Sequence, residues 1–193
     1  ALPIYKDHIT SLVSNLDALL MVGGPDIPAH TYKSKNPDLL DQDIMSEERE
    51  NFDRAIFLET MKQNKKILAI CAGAQHVNII YGGSLIEDIP TLVKNHIDHG
   101  VFNGEASAHP VKITSEDSLL FNLIKKETIS VKSSHHQSIK NLGKQVIVTA
   151  KSSDNIIEAI ELKDKNNFIG VQWHPEIAPQ SKDMPSLFYW LAH

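Results

Sequence analysis

The sequence predicts a single α/β domain built on a mixed sheet, and three observations carry that reading. The chain has 193 residues, about one domain's length. Its first half alternates short continuous apolar runs with a helical pattern, as strands covered on both faces do. Its second half is a succession of short strand-like segments separated by turn residues, with no repeat, low-complexity tract or linker between the halves.

The elements follow in order. Residues 17–22, Asp-Ala-Leu-Leu-Met-Val, form a buried strand ended by Gly23, Gly24 and Pro25. Polar punctuation then runs to Asp43. From Ser46 to Gln63 the residues Phe52, Ala55, Ile56, Leu58 and Met61 recur at helical spacing, with Ser46 as cap and Glu50 in an acidic first turn. Residues 66–70 make a second buried strand, and residues 71–81 a helix closed by Gly82 and Gly83. Strand, sharp turn and helix therefore meet at Cys71. Beyond Ser84 strands are expected at 111–114, 128–132, 145–151, 156–162 and 168–173, the third and fourth of them antiparallel neighbours across the turn 152–155. Residues 185–191 form a last helix.

Composition excludes several classes of function. Hydrophobic residues at 41% and charged residues at 22% match an ordinary globular chain and leave no room for a disordered or collagen-like one. With 19 basic against 24 acidic residues the formal charge is −5, so no positive field gathers nucleic acid or anionic lipid. No run approaches the ~20 apolar residues of a membrane span. The single cysteine can form no internal disulfide, which points to a reducing, cytoplasmic compartment. The start, Ala-Leu-Pro-Ile-Tyr, has neither an initiator Met nor a signal-peptide pattern, and upstream residues are expected.

Two readings of Cys71 stand. A lone cysteine is often a buried structural thiol. At a strand-to-helix turn it can also be a nucleophile, presented above the sheet's carboxyl edge and with its pKa lowered by the helix N-terminus. Such a poised thiol would alkylate rapidly near neutral pH. A nucleophile needs a base, and His174 in Val-Gln-Trp-His-Pro-Glu is the leading candidate among 10 histidines, with Glu176 two residues on to fix its tautomer. His96, Asp98, His99 and His109 have metal-ligand chemistry, but their segment reads as a loop and no metal or other cofactor is expected. The Gly23-Gly24 pair lacks the spaced glycines and Lys-Ser/Thr of a phosphate loop.

Five motifs then appear in order: Gly-Gly-Pro-Asp at 23–26, Ile-Leu-Ala-Ile-Cys-Ala-Gly-Ala-Gln at 67–75, Tyr-Gly-Gly-Ser-Leu at 81–85, Ser-His-His-Gln at 134–137 and Gly-Val-Gln-Trp-His-Pro-Glu at 170–176. Together they resemble the class I glutamine amidotransferase superfamily, most of all its gamma-glutamyl hydrolase-like branch, over nearly the whole chain. The resemblance implies a flavodoxin-like three-layer sandwich, its mixed sheet mostly parallel and flanked by helices. It also implies one domain over 1–193 that lacks the usual first strand-helix unit.

By that resemblance Cys71 matches the nucleophile, His174 the general base and Glu176 its orienting carboxylate. Gly24 and Ala72 match the oxyanion-hole amides, and Gln75 a contact to the glutamyl end of the substrate. His135, His136 and Gln137 either line the same pocket or form an exposed cluster. Many relatives carry Arg where this chain has Ala72, which bears on substrate preference. The implied activity is cleavage of a gamma-glutamyl amide through a thioester, releasing glutamate and an amine. Two others compete with it: a glutaminase subunit passing ammonia to a synthase partner, and a silent binding protein that keeps the fold. The implied partner is a small gamma-glutamyl molecule, with neither nucleic acid nor membrane, and a homodimer is the assembly to look for.

Overall fold

In the computed structural model, which describes residues 6–178 and 183–193, the chain runs α1 (Lys6–Ser14), β1 (Ala18–Met21), α2 (Glu47–Lys62), β2 (Lys66–Ile70), α3 (Ala72–Ile80), β3 (Ser84–Ile86), α4 (Ile89–Leu92) and β4 (Val101–Phe102). It continues through β5 (Glu105–Ile113), α5 (Leu119–Ile124), β6 (Thr128–Ser133), β7 (Ser138–Asn141), β8 (Val146–Ser152), β9 (Ile157–Leu162), β10 (Phe168–Val171) and α6 (Pro185–Ala192).

The continuous apolar run of β2 is explained by cover on both faces. Ile67 and Ala69 point to one side, where α2 and α3 bring Phe57, Ala74 and Val77. Leu68 and Ile70 point to the other, where α5 and α6 bring Leu120, Ile124 and Leu187. Each such buried aliphatic or aromatic side chain contributes about 1.5–3 kcal/mol, so the two layers fix the sheet between them.

Sheet order is β1-β2-β10-β9-β8-β5-β4, with β6 paired to β5, and β3 with β7 forms a separate pair. The mixed sheet is as expected, but its balance is not. Among the described strands, β1 with β2 and β2 with β10 pair in parallel, and one isolated parallel bridge joins Asp26 to Ile44. The pairs from β10 outward are antiparallel. Past Ser84 the connections are mostly too short for the crossover of a dozen or more residues that parallel strands need.

Three further features differ from the sequence pattern, each with a local cause. Helix α1 stands ahead of β1, where the pattern announces no element; its Ile9 and Val13, four residues apart, pack on Ile56 of α2. In α2 the cap is as expected, Ser46 accepting from the Arg49 amide at 3.2 Å. Its inward face, however, carries Phe57 and leaves Leu58 48% exposed, because the helix packs on both the sheet and α1. Strand β5 begins at Glu105 rather than Val111, crossing Pro110 beside β6, and its alternation turns His109, Val111 and Ile113 inward.

Among the described residues no helix is long and apolar enough to cross a membrane.

Candidate active site

Strand β2 hands the chain to α3 at Cys71, whose φ of 50° and ψ of −112° are strained for a non-glycine residue. Neighbouring backbone holds it there. The Cys71 amide donates to the Val171 carbonyl at 2.8 Å, and its carbonyl accepts from the Gln75 amide at 3.1 Å. Close packing of the first turn of α3 demands the next small residue but one: a Cβ on Gly73 would lie 2.7 Å from the Met21 carbonyl oxygen. The side chain of Cys71 is thereby set at the carboxyl end of β2.

Burial pushes the Cys71 thiol up to about 12; the Ala72 amide favours the thiolate but is outweighed, and the carboxylates of Glu176, Glu158 and Asp26 push the same way as burial. The expectation of a thiol lowered by the helix N-terminus therefore fails for the resting protein. Desolvating a full charge costs more than a helix end returns.

His174 follows β10, and its amide donates to the Lys132 carbonyl at 2.9 Å, while Trp173 beside it is fully buried. The imidazole Nδ1 lies 2.6 Å from Glu176 Oε1. Strand geometry predicts that contact, but a 3-10 turn over Pro175–Ile177 makes it. With Nδ1–H donated to the carboxylate, Nε2 is left as the basic nitrogen.

Gly23 joins these groups. A Cβ there would meet Cε1 of His174 at 3.1 Å, its Nε2 at 3.9 Å and the Cβ of Cys71 at 3.6 Å, so the imidazole and the Cys71 side chain flank one point on the loop after β1. Among the described residues no hydrogen bond links Sγ to the ring, a common looseness in unliganded sites. Gly24 turns its Cα toward the Arg49 guanidinium, whose Cζ would lie 3.0 Å from a Cβ. Arg49 Nη2 donates to the Gly23 carbonyl at 3.2 Å, and Nε to Asp53 at 3.3 Å. The guanidinium thus braces the loop, a role that helical periodicity in α2 does not reveal.

Gln75 is buried, its Nε2 donating to the Gln137 carbonyl and to Gln172 Oε1, both at 3.1 Å. His135 is turned inward: Nδ1 donates to the Gln137 carbonyl at 2.8 Å, and Nε2 faces Glu158. This replaces the expectation of His135 as a glutamyl contact, since the strand end directs its ring into the interior. His136 is clamped, Nε2 3.0 Å from Asp26 Oδ1 and Nδ1 3.1 Å from Asp88 Oδ1. The hydrogen bond to Asp26 raises its pKa to about 9, against burial and with help from Asp88. The buried amide of Gln137 neighbours the Tyr32 hydroxyl, whose pKa burial pushes up to about 12 against the contacts with Ser34 and Gln137.

Of the residues with metal-ligand chemistry, those that converge are His99 and His109 with His135 and Glu158, rather than with His96 and Asp98. Glu158 lies outside the sequence expectation, although a glutamate inside the apolar run 156–162 is itself a signal. A cavity of about 160 Å³ opens beside this group, against His99, His135 and His136.

The Peptidase C26 family model matches residues 1–176. Protein NtpR of Enterococcus hirae is 37% identical over 185 residues, covering 93% of this chain and 75% of that one. The gamma-glutamyl-gamma-aminobutyrate hydrolase of Escherichia coli O157:H7 is 30% identical over 189 residues, covering 91% and 72%. Among solved structures, the glutaminase domain of Trypanosoma brucei CTPS superposes with a TM-score of 0.63 at 14% identity, covering 96% of this chain and 74% of that one, a likeness of fold.

Proposed function

The chain belongs to the Peptidase C26 family, and on that premise we propose that it is a cysteine hydrolase cleaving a gamma-glutamyl amide through a gamma-glutamyl thioester. The observation that carries this reading is the flanking of Gly23 by Cys71 and by an imidazole already oriented by Glu176. The similarity to a gamma-glutamyl-gamma-aminobutyrate hydrolase supports the substrate class.

In the proposed reaction Nε2 of His174 removes the thiol proton as Sγ of Cys71 bonds to the gamma-carbonyl carbon, and the carbonyl π pair moves onto oxygen. Because the resting thiol is protonated, removal of its proton is coupled to attack rather than completed beforehand. The amides of Gly24 and Ala72 are the proposed oxyanion donors, each worth about 3–4 kcal/mol in such sites. His174 then gives its proton to the amine nitrogen, the C–N bond breaks and the amine leaves. Water, losing a proton to His174, attacks the thioester; the C–S bond breaks, glutamate departs and the proton returns to sulfur. Gln75 and Gln137, joined where Gln75 Nε2 donates to the Gln137 carbonyl, are the proposed holders of the glutamyl end.

The test is a panel of gamma-glutamyl amides incubated with the purified protein, with released glutamate and amine both quantified. Stoichiometric release, abolished in Cys71→Ala with unchanged circular dichroism, is the expected result. Undiminished turnover in that variant would overturn the assignment.

A further inference from the structure

Behind the candidate active site lies a second cluster that this reaction does not use. His99 precedes β4, His109 sits on β5, His135 follows β6 and Glu158 is the second residue of β9, and all four are buried. One ligand-capable atom from each lies within 4.8 Å of the others. Glu158 Oε1 is 3.2 Å from His99 Nδ1, 3.6 Å from His109 Nε2 and 3.9 Å from His135 Nε2. The rings stand close together, His99 edge-on to His109 with centroids 4.6 Å apart and tilted to His135 at 5.0 Å.

The outward nitrogen of every ring fixes what the inward one can be. His135 Nδ1 is 2.8 Å from the Gln137 carbonyl, which can only accept, so the proton is on Nδ1 and Nε2 carries a lone pair. His109 Nδ1 has the same relation to the Pro110 carbonyl at 3.4 Å. His99 Nε2 is 3.0 Å from Asp154 Oδ2, and that carboxylate is itself held by the Ile97 amide and the Ser152 hydroxyl. Among the described residues, His109 Nε2 and His135 Nε2 have no hydrogen-bond partner, while His99 Nδ1 pairs with Glu158 Oε1 at 3.2 Å. The donors available inside the cluster are few: against its burial, Glu158 and Asp154 raise the pKa of His99, and burial raises that of Glu158 to about 7, so one proton is held between them. That proton serves one of these contacts, whereas a single cation serves them all.

We propose that His99, His109, His135 and Glu158 bind a divalent transition-metal ion, zinc foremost, in a closed four-coordinate site. Three imidazoles and one carboxylate are a donor set that suits zinc. Tetrahedral bonds of about 2.0–2.1 Å place ligand atoms ~3.3 Å apart; the three nitrogens stand 3.2, 3.6 and 3.9 Å from Glu158 Oε1, and the set as a whole, within 4.8 Å, closes onto an ion by side-chain rotation. Asp154 and the two carbonyls supply the outer hydrogen bonds that orient metal-bound histidines. The cavity against His99 and His135 gives an ion a way in. The site shares no residue with the proposed Cys71–His174–Glu176 machinery, so it stands or falls separately from the proposed reaction.

The test is titration of chelator-treated full chain with Co2+, read by visible absorption, followed by displacement with Zn2+ and elemental analysis of the gel-filtered protein. The expected result is one ion per chain, the intense d–d band of four-coordinate cobalt without thiolate charge transfer, and bleaching by Zn2+. Cys71→Ala should retain this signal, whereas His109→Phe and His135→Phe should each lose it. Wild-type protein that is folded by circular dichroism and retains no stoichiometric Co2+ or Zn2+ would overturn the proposal even if neither variant folds. So would a weak octahedral spectrum that survives in a folded variant, which would assign binding to surface histidines.

Discussion

Glu176 Oε1 stands 2.6 Å from Nδ1 of His174, two residues back along the chain, so base and orienting group travel together on one short turn. Glu176 is the more exposed partner, at 45% against 17% for the imidazole. Its replacement by Gln keeps the shape but removes the carboxylate that accepts the Nδ1–H and fixes the ring's tautomer. Under the proposed mechanism Glu176→Gln lowers kcat by about 10²-fold, with KM little changed. Steady-state kinetics on a gamma-glutamyl amide checks this; an unchanged kcat would remove Glu176 from the mechanism.

Gly23 supplies a test by steric pressure. Its backbone accepts an ordinary residue, but the added methyl would sit 3.1 Å from His174 Cε1 and force the ring to yield by a few tenths of an ångström. Gly23→Ala should reduce kcat about tenfold or more while the thermal midpoint stays within a degree or two, because only the alignment of imidazole and thiol is disturbed. Equal kinetics in the two proteins would mean that the ring is not used from this position.

The thiol carries a pH signature. Since burial holds its pKa at about 12, in chelator-treated protein the rate of Cys71 alkylation should climb about tenfold per pH unit past the ordinary thiol value of 9.0 without levelling. Iodoacetamide kinetics followed by mass spectrometry measures it. A plateau near neutral pH would instead reveal a thiolate at rest.

His136 links stability to pH. Folded, it titrates near 9, against an ordinary 6.5, because Asp26 and Asp88 hold its protonated form. A raised pKa gives stability that is complete below the unfolded value and drains as pH rises through the folded one. His136→Asn should therefore cost on the order of 1–2 kcal/mol at about pH 6 and much less at about pH 10. Urea midpoints for both proteins at the two pH values decide it; a pH-independent difference would contradict the clamp.

Much of this architecture is legible in the sequence because burial leaves a pattern. The run 66–70 reads as a doubly covered strand, and Ser46 as a cap, since both depend on nearest neighbours in the chain. Placement of Cys71 at a strand-to-helix turn follows from the same local reading. What escapes depends on contacts across the fold. Leu58 and Phe57 exchange roles because α2 has two packing partners. The high thiol pKa arises first from burial under distant segments, and then from Glu176, Glu158 and Asp26, none of them near Cys71 in sequence. His135 looks like a pocket residue beside His136, yet successive residues at a strand end point opposite ways, one inward to Glu158 and the other to Asp26.

The central claim is that sulfur of Cys71 becomes covalently bound to the glutamyl group during turnover. Its most direct test is rapid acid quench of the protein with a gamma-glutamyl amide, followed by intact-protein and peptide mass spectrometry. A transient adduct of one glutamyl mass on the peptide containing Cys71, absent in Cys71→Ala, is the expected result. Full turnover in wild type with no adduct at any quench time, and with the same rate in Cys71→Ala, would contradict it.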